Sequence, residues 1–428
     1  MTDVGEHGQL VEIAMPKLSD SMEEATVLAW LKQPGDAVQR GEPLVEVETD
    51  KATVVYEAET DGVLHELVVG EGETAVLGSV IARLRVAGEA SASRPTAASA
   101  SPSARRQAGS SEIDFRDAIR AALDEELERD ERVIFFGEDV AVAGGVFAVT
   151  LGLHEKYGAS RVFDTPISEL ALTGAAYGAA ITGKRPVLEI MFGDFLALSM
   201  DVLINQATKY WFLTGGRQSC PLVIRSVVGA GGRFGAIHSQ MPVSWLMGIT
   251  GLKIVAPATP ADAKGLLKAA IRDENPVVFF EHKRLYPLKG EVDGDAATLG
   301  QARVVREGTD VTLVSAMKGV HDCLAAADQL AGKGVDAEVV DLRTIRPVDV
   351  ETVLASVVKT NRVAVVEEGP LTGGWAGEVL ALVTEHGLGD LDDAWRITTP
   401  NTPIPYSPPL EDAFLPEADR IVREVLSR

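Results

Sequence analysis

The sequence predicts a multi-domain chain: a small all-β sandwich followed by two α/β units, the first built on a parallel sheet. Three observations predict it. The first 86 residues carry an internal repeat of period 37, a following stretch lacks any large apolar side chain, and beyond it helical and strand-like patterns alternate.

In the repeat, Glu24-Ala25-Thr26-Val27-Leu28 matches Asp61-Gly62-Val63-Leu64-His65, and Gly35, Gly41 and Leu44 match Gly72, Gly78 and Ile81. Two short-stranded copies with turn glycines at matched offsets predict a sandwich with quasi-twofold symmetry over residues 9–86, since neither copy alone could close a core. Alternation in Leu44-Val45-Glu46-Val47-Glu48 and Ala52-Thr53-Val54-Val55-Tyr56 places strands on either side of Thr49-Asp50-Lys51, so Lys51 is expected at a hairpin tip.

Residues 87–111 hold eight Ala, seven Ser, two Pro and two Gly in 25 positions. Such a segment buries too little surface to offset its backbone entropy and reads as a flexible linker. Its random-coil span is about 25–30 Å, stretching to roughly 80–90 Å when extended.

Beyond the linker, Phe115, Ile119, Leu123 and Leu127 recur every fourth residue behind Asp114, a candidate N-cap, and Val133-Ile134-Phe135-Phe136 follows as a buried strand. Val187-Leu188-Glu189-Ile190, Leu222-Val223-Ile224 and Val277-Val278-Phe279-Phe280 continue the alternation, which implies a parallel sheet with helices on both faces across residues 112–290. Residues 284–302, with several Gly and Asp, are expected to be a turn-rich connection. A separate α/β domain over 303–428 is read from Val311-Thr312-Leu313-Val314, Ala337-Glu338-Val339-Val340 and Val363-Ala364-Val365-Val366.

The net charge of −23 argues against nucleic acid or an anionic membrane as partner, because both require a basic surface. Residues 1–86 alone hold 17 Asp or Glu against 6 Lys or Arg, which marks the first module as acidic in its own right. No apolar run approaches the ~18–20 residues of a membrane span. Met1 to Gln9 are polar and acidic, unlike a signal or transit peptide, so a cytoplasmic location is expected. Cys220 and Cys323 lie about a hundred positions apart with no Cys-x-x-Cys and are expected as reduced, partly buried thiols.

Lys51, flanked by Asp50 and Ala52 on this acidic module, resembles the lipoyl-bearing lysine of the lipoyl domains in 2-oxo acid dehydrogenase complexes. Met22, Glu23, Glu24, Pro34-Gly35-Asp36 and Gly41 fall at that family's spacings, whereas Ala25 stands where it usually has glycine. Biotin carriers, the nearest alternative, usually set the lysine between methionines. The resemblance implies lipoate attached covalently to Lys51.

Downstream, Gly137-Glu138-Asp139-Val140, Asp164-Thr165-Pro166-Ile167-Ser168-Glu169, His238-Ser239-Gln240, Asp262-Ala263-Lys264-Gly265-Leu266 and Ala270-Ile271-Arg272-Asp273-Glu274-Asn275-Pro276 stand in one order. Asp341-Leu342-Arg343-Thr344-Ile345-Arg346-Pro347, Glu367-Glu368-Gly369-Pro370 and Thr402-Pro403-Ile404-Pro405-Tyr406 continue it. Together they resemble the E1 β subunits of thiamin-dependent dehydrogenases acting on pyruvate, acetoin or branched-chain 2-oxo acids. That resemblance implies a transketolase-like pyrimidine-binding domain over 112–290 and a transketolase C-terminal domain over 303–428. Thiamin chemistry needs a carboxyl group that shares a proton with the pyrimidine N1′, so that the 4′-nitrogen can take the thiazolium C2 proton. Glu169 is the implied partner, and its neighbours from Thr165 to Leu172 offer apolar surroundings with little else ionisable.

By the same resemblance, Phe195 presents an aromatic face to the pyrimidine and Ile167 a wall. His238 lies near the reactive carbon, orienting either the substrate carboxylate or the incoming dithiolane. Leu222, Ala270, Asp273 and Asn275 fall where the family holds a structural monovalent cation, possible K⁺ ligation being mostly through main-chain carbonyls. No Gly-Asp-Gly occurs; Asp293-Gly294-Asp295 is preceded by Val292. The thiamin diphosphate is therefore expected to be shared with an E1 α subunit that supplies the Mg²⁺ and diphosphate site, in an α2β2 tetramer. A dihydrolipoyl acyltransferase E2 core and a dihydrolipoyl dehydrogenase E3 are the further implied partners. Pyruvate is the first choice of substrate. Acetoin stays open, because Phe192-Gly193-Asp194-Phe195 and Glu281-His282-Lys283 resemble acetoin-cleaving relatives, and so does a non-catalytic lipoyl carrier or scaffold.

Overall fold

The computed structural model describes residues 8–15, 24–39, 42–48, 53–58, 60–87, 111–292 and 297–428. Lys51 and linker positions 88–110 lie outside the described residues. The chain divides into two compact units, within residues 1–105 and 106–428.

In the first unit, one sheet runs Gly8–Ala14, Val80–Ala87, Gly62–Leu67, Ala37–Val38, and the other Thr53–Glu57, Pro43–Glu48, Glu24–Trp30, Thr74–Val76. Each sheet borrows its last short strand from the other copy of the repeat, which is why neither copy stands alone. The symmetry extends to single hydrogen bonds: Gly35 N–H donates to Leu64 O at 2.7 Å, and Gly72 N–H to Val27 O at 2.7 Å. Both glycines have positive φ, +102° and +82°, the left-handed conformation that only glycine adopts without a Cβ penalty. The matched pair Leu44 and Ile81 are both fully buried, each contributing about 1.5–3 kcal/mol relative to exposure. Ala25 lies in an extended strand and is buried, so replacing the family's usual glycine strains nothing. The hairpin strands flanking Lys51 pair in antiparallel register out to Glu48 opposite Thr53.

In the second unit, the helix Phe115–Arg129 is capped by Asp114, whose carboxylate accepts from Asp117 N–H at 2.7 Å, and it buries Phe115, Ile119, Leu123 and Leu127. Its main sheet runs Val162–Asp164, Val133–Gly137, Arg185–Phe192, Val223–Val228, Val277–His282, Lys253–Val255, Thr344–Arg346. All strands are parallel except the last. Unbroken burial along Val133–Gly137, Val223–Val228 and Val277–His282 explains the apolar run that opens each, since a parallel sheet is covered on both faces. A second sheet runs Arg303–Arg306, Ala337–Asp341, Val311–Ser315, Arg362–Pro370, Asp393–Thr399, with only its first strand antiparallel.

One feature differs from the sequence expectation. The stretch 284–302 is not turn throughout: Lys289–Val292 pairs antiparallel with Ser111–Asp114, a contact between segments too short to show periodicity. The second α/β segment packs its own cluster around Val311, Leu313, Val339 and Ile397, and a shared cluster joins it to the first within one compact unit. Strand Thr344–Arg346 leaves the second segment to extend the first sheet, and Asp262 accepts from both Arg343 (Nε, 2.9 Å) and Arg303. Cys220 and Cys323 are free and fully buried, and burial pushes the Cys220 thiol up to about 12. Among the described residues no helix is long and apolar enough to cross a membrane.

Candidate active site

Ligands of open α/β sheets bind beyond the carboxyl ends of the strands. Here five adjacent strands deliver polar side chains to that edge. Val133–Gly137 leads into Glu138, Val162–Asp164 into Thr165 and Glu169, and Arg185–Phe192 into Asp194 and Phe195. Val223–Val228 leads into the 229–242 loop with His238, and Val277–His282 into Lys283. Gly137 sits where an added Cβ would come within 2.8 Å of Glu189 O, so the bulkless residue lets the neighbouring strand approach just before Glu138.

Glu169 opens the helix Glu169–Ile181 and is buried. Beside it lies Glu138, whose carboxyl group is pushed above the usual carboxylate range by burial and by the Glu169 charge, partly offset by a hydrogen bond from the Ser168 backbone. The expectation of little else ionisable near Glu169 is therefore corrected: Glu138 comes from a different strand, which sequence distance concealed. Glu138 Oε1 and Thr165 Oγ are buried without a hydrogen-bond partner, a costly state that a polar ligand would relieve. Ile167, 81% exposed, projects from the same loop.

Phe195 and His238 form a second group. The His238 ring stands edge-on to Phe192 (centroids 4.8 Å) and Phe195 (5.5 Å). Asp194 Oδ1 accepts from Gln240 Nε2 at 2.8 Å and leaves Oδ2 buried and unpaired. Lys283 Nζ donates to the His238 carbonyl, and burial pulls its pKa down to about 8 against the opposing charges of Asp194, Glu368 and Glu411. Thr173 Oγ donates to Ser199 Oγ at 2.7 Å, tying the Glu169 helix to the segment after Phe195. Beneath the site, fully buried Arg225 donates to Glu189 (2.7 Å) and Glu281 (2.6 and 2.8 Å), making a rigid ionic floor.

Leu222, Ala270, Asp273 and Asn275 gather around the helix Pro260–Arg272 and its C-terminal turn. The carbonyls of Leu222, Ala270 and Asp273 accept from Val277 N–H (2.9 Å), Asp273 N–H (3.2 Å) and Arg185 Nη1 (3.0 Å). Each carbonyl keeps a second lone pair. Among the described residues no group of three or more His, Cys, Asp or Glu is placed to hold a metal ion. Glu138, Asp194, Lys283 and Glu368 are site residues the sequence reading left without a role, although each sits in a motif it singled out.

Three family models match the chain: "Biotin-requiring enzyme" over residues 11–84, "Transketolase, pyrimidine binding domain" over 111–289, and "Transketolase, C-terminal domain" over 300–421. The pyruvate dehydrogenase E1 component subunit beta of Rhizobium meliloti is 40% identical over 97% of this chain and 98% of its own length. The chain belongs to the E1 β subunits of the thiamin-dependent 2-oxo acid dehydrogenases. The β subunit of acetoin:2,6-dichlorophenolindophenol oxidoreductase from Cupriavidus necator is 45% identical over 72% of this chain and 95% of its own. The 2-oxoisovalerate dehydrogenase subunit beta of Bacillus subtilis is 45% identical over 72% and 96%. In fold, a split-gene transketolase described as an inactive β4 tetramer superposes with TM-score 0.63 at 23% identity, covering 74% of this chain and 98% of that one. This E1 β subunit carries its lipoyl domain at the N-terminus, and as a β subunit it works with an α partner in a lipoyl-based complex.

Proposed function

We propose that this E1 β subunit supplies the pyrimidine half of a thiamin diphosphate site in an α2β2 tetramer that decarboxylates pyruvate and transfers the acetyl unit to lipoate on Lys51. When bound, thiamin diphosphate would supply, after loss of its C2 proton, the nucleophilic carbon for the 2-oxo group. Glu169 would share a proton with N1′, with Glu138 and Thr165 completing the polar contacts, Phe195 against the pyrimidine and Ile167 as a wall. His238 would hold the substrate carboxylate or the dithiolane. The observation that carries this reading is the pair of buried, unpartnered atoms, Glu138 Oε1 and Thr165 Oγ, beside buried Glu169.

The chain lacks Gly-Asp-Gly, so the α subunit would provide Mg²⁺ and the diphosphate contacts. The carbonyls of Leu222, Ala270, Asp273 and Asn275 are the place for a monovalent cation such as K⁺. Transfer onward would involve an E2 acyltransferase core and an E3 dehydrogenase. Two free, buried thiols suit the reducing cytoplasm. Pyruvate is favoured over acetoin because the pyruvate relative aligns along nearly the whole chain, N-terminal module included, whereas the acetoin relative aligns over 72% of it. Retention of Glu169 and His238 speaks against a pure carrier or scaffold.

The test is reconstitution. The purified chain is expected to show no thiamin-dependent turnover, and adding the α subunit should bring decarboxylation with pyruvate preferred over acetoin and branched-chain 2-oxo acids. Turnover by the chain alone would refute the shared site, and a preference for acetoin would move the substrate assignment.

A further inference from the structure

The Glu281-His282-Lys283 motif contributes to the ionic floor through Glu281, but His282 and Lys283 remain without a function. They sit under the loop that carries His238. That loop leaves its strand at Gly229, whose φ of +92° and missing Cβ let it pass over the His282 ring. Its first half is anchored to the C-terminal domain: Ala230 N–H donates to Glu368 Oε1 at 2.5 Å, Gly231 N–H to Glu411 Oε1 at 2.8 Å, and Arg233 to Glu411 and Asp412 at 2.7 Å each. His282 joins the same anchor by a 2.9 Å contact from Nε2 to Glu368 Oε2. Its Nδ1 accepts from Arg284 N–H, so Nε2 carries the proton.

The second half is held differently. Gln240 is fixed by Asp194, and His238 by Lys283 alone among the contacts of its carbonyl in the described residues. The Lys283 stem is buried, and its ammonium lies 5.4 Å from the Phe192 ring centroid and 4.7 Å from that of Phe234. Phe192 is also the ring against which His238 stands edge-on. One side chain therefore grips the His238 backbone and the aromatic wall that sets its ring angle.

We infer that Lys283 is the positioning residue of His238, acting through the His238 carbonyl and the Phe192 wall. The inference rests on the reading of His238 as the group that meets substrate or dithiolane. The ammonium faces Asp194, Glu368 and Glu411 from three separate elements; His282 contacts the same Glu368, and Arg233 the same Glu411. Those carboxylates hold its charge against burial, so its hold on His238 is strongest below about pH 8 and weakens as pH rises through that value.

The experiment compares wild type, Lys283→Met and Lys283→Arg in the tetramer reconstituted with the α subunit. Lys283→Met should lower kcat for acyl transfer by about tenfold or more, the scale of a catalytic group displaced by a fraction of an ångström to 1 Å. It should also erase an alkaline limb near pH 8. Lys283→Arg should restore kcat to within about threefold and move that limb upward, because a guanidinium does not titrate there. A Lys283→Met enzyme with wild-type kcat, or a Lys283→Arg enzyme with the limb unmoved, overturns the inference. Wild-type turnover run alongside tests the functional reading separately. Should that be nil, or Lys283→Met fail to fold, the His238 ring resonances of the isolated wild-type and Lys283→Arg chains decide. A response of His238 near pH 8 present only in wild type supports the inference, and identical titrations refute it.

Discussion

At the scale of single residues, the site turns on two carboxyl groups brought together from different strands. Glu138 is buried beside Glu169, and burial together with the Glu169 charge disfavours ionisation of Glu138. Glu169→Gln is nearly isosteric but cannot share an acid proton. In the reconstituted tetramer it should slow hydrogen exchange at thiamin C2 by roughly 10²- to 10⁴-fold, with assembly unchanged. An unchanged exchange rate would remove Glu169 from its role. The sequence made Glu169 legible because its motif is local. Glu138 and Lys283 carry no such local signal, since their places beside Glu169 and under His238 come from contacts that only tertiary pairing creates.

At the scale of elements, periodicity identified the long ones. The helix behind Asp114, the buried parallel strands and the repeat-built sandwich all appear where alternation or spacing placed them. What periodicity could not show was the crossing strand Thr344–Arg346, three residues long, or the pairing of Lys289–Val292 with Ser111–Asp114, because neither carries a pattern of its own. The joint between the two α/β segments depends on such pieces, and Asp341 sits at it. Its Oδ1 accepts from Arg343 N–H at 2.9 Å, Oδ2 is buried and unpaired, and burial plus the Asp262 charge pushes the carboxyl up to about 7. A carboxyl with a raised folded-state pKa binds its proton more tightly when folded, so its contribution is fully present below the unfolded value and is lost as pH rises toward 7. Asp341→Asn removes that loss. The stability difference between variant and wild type should rise by on the order of 2–4 kcal/mol from pH 4 to pH 8. Paired thermal melts at the two pH values check this, and a pH-independent difference would contradict it.

At the scale of the whole molecule, a lipoyl domain and the E1 β domains occupy one polypeptide, joined by residues rich in Ala, Ser and Pro. A linker of this length and composition implies an effective concentration near the millimolar range, so transfer to the arm should behave as an intramolecular step. Shortening residues 87–111 to a few should slow it by restricting reach while leaving lipoate attachment intact. The most direct measurement is intact mass spectrometry of residues 1–86, released after the chain is made in a lipoylating host and mixed with the α subunit and pyruvate. The expected result is a lipoyl increment that Lys51→Arg abolishes, followed by an acetyl increment whose rate does not change on protein dilution. An unmodified domain, or acetylation that slows in proportion to dilution, would contradict it.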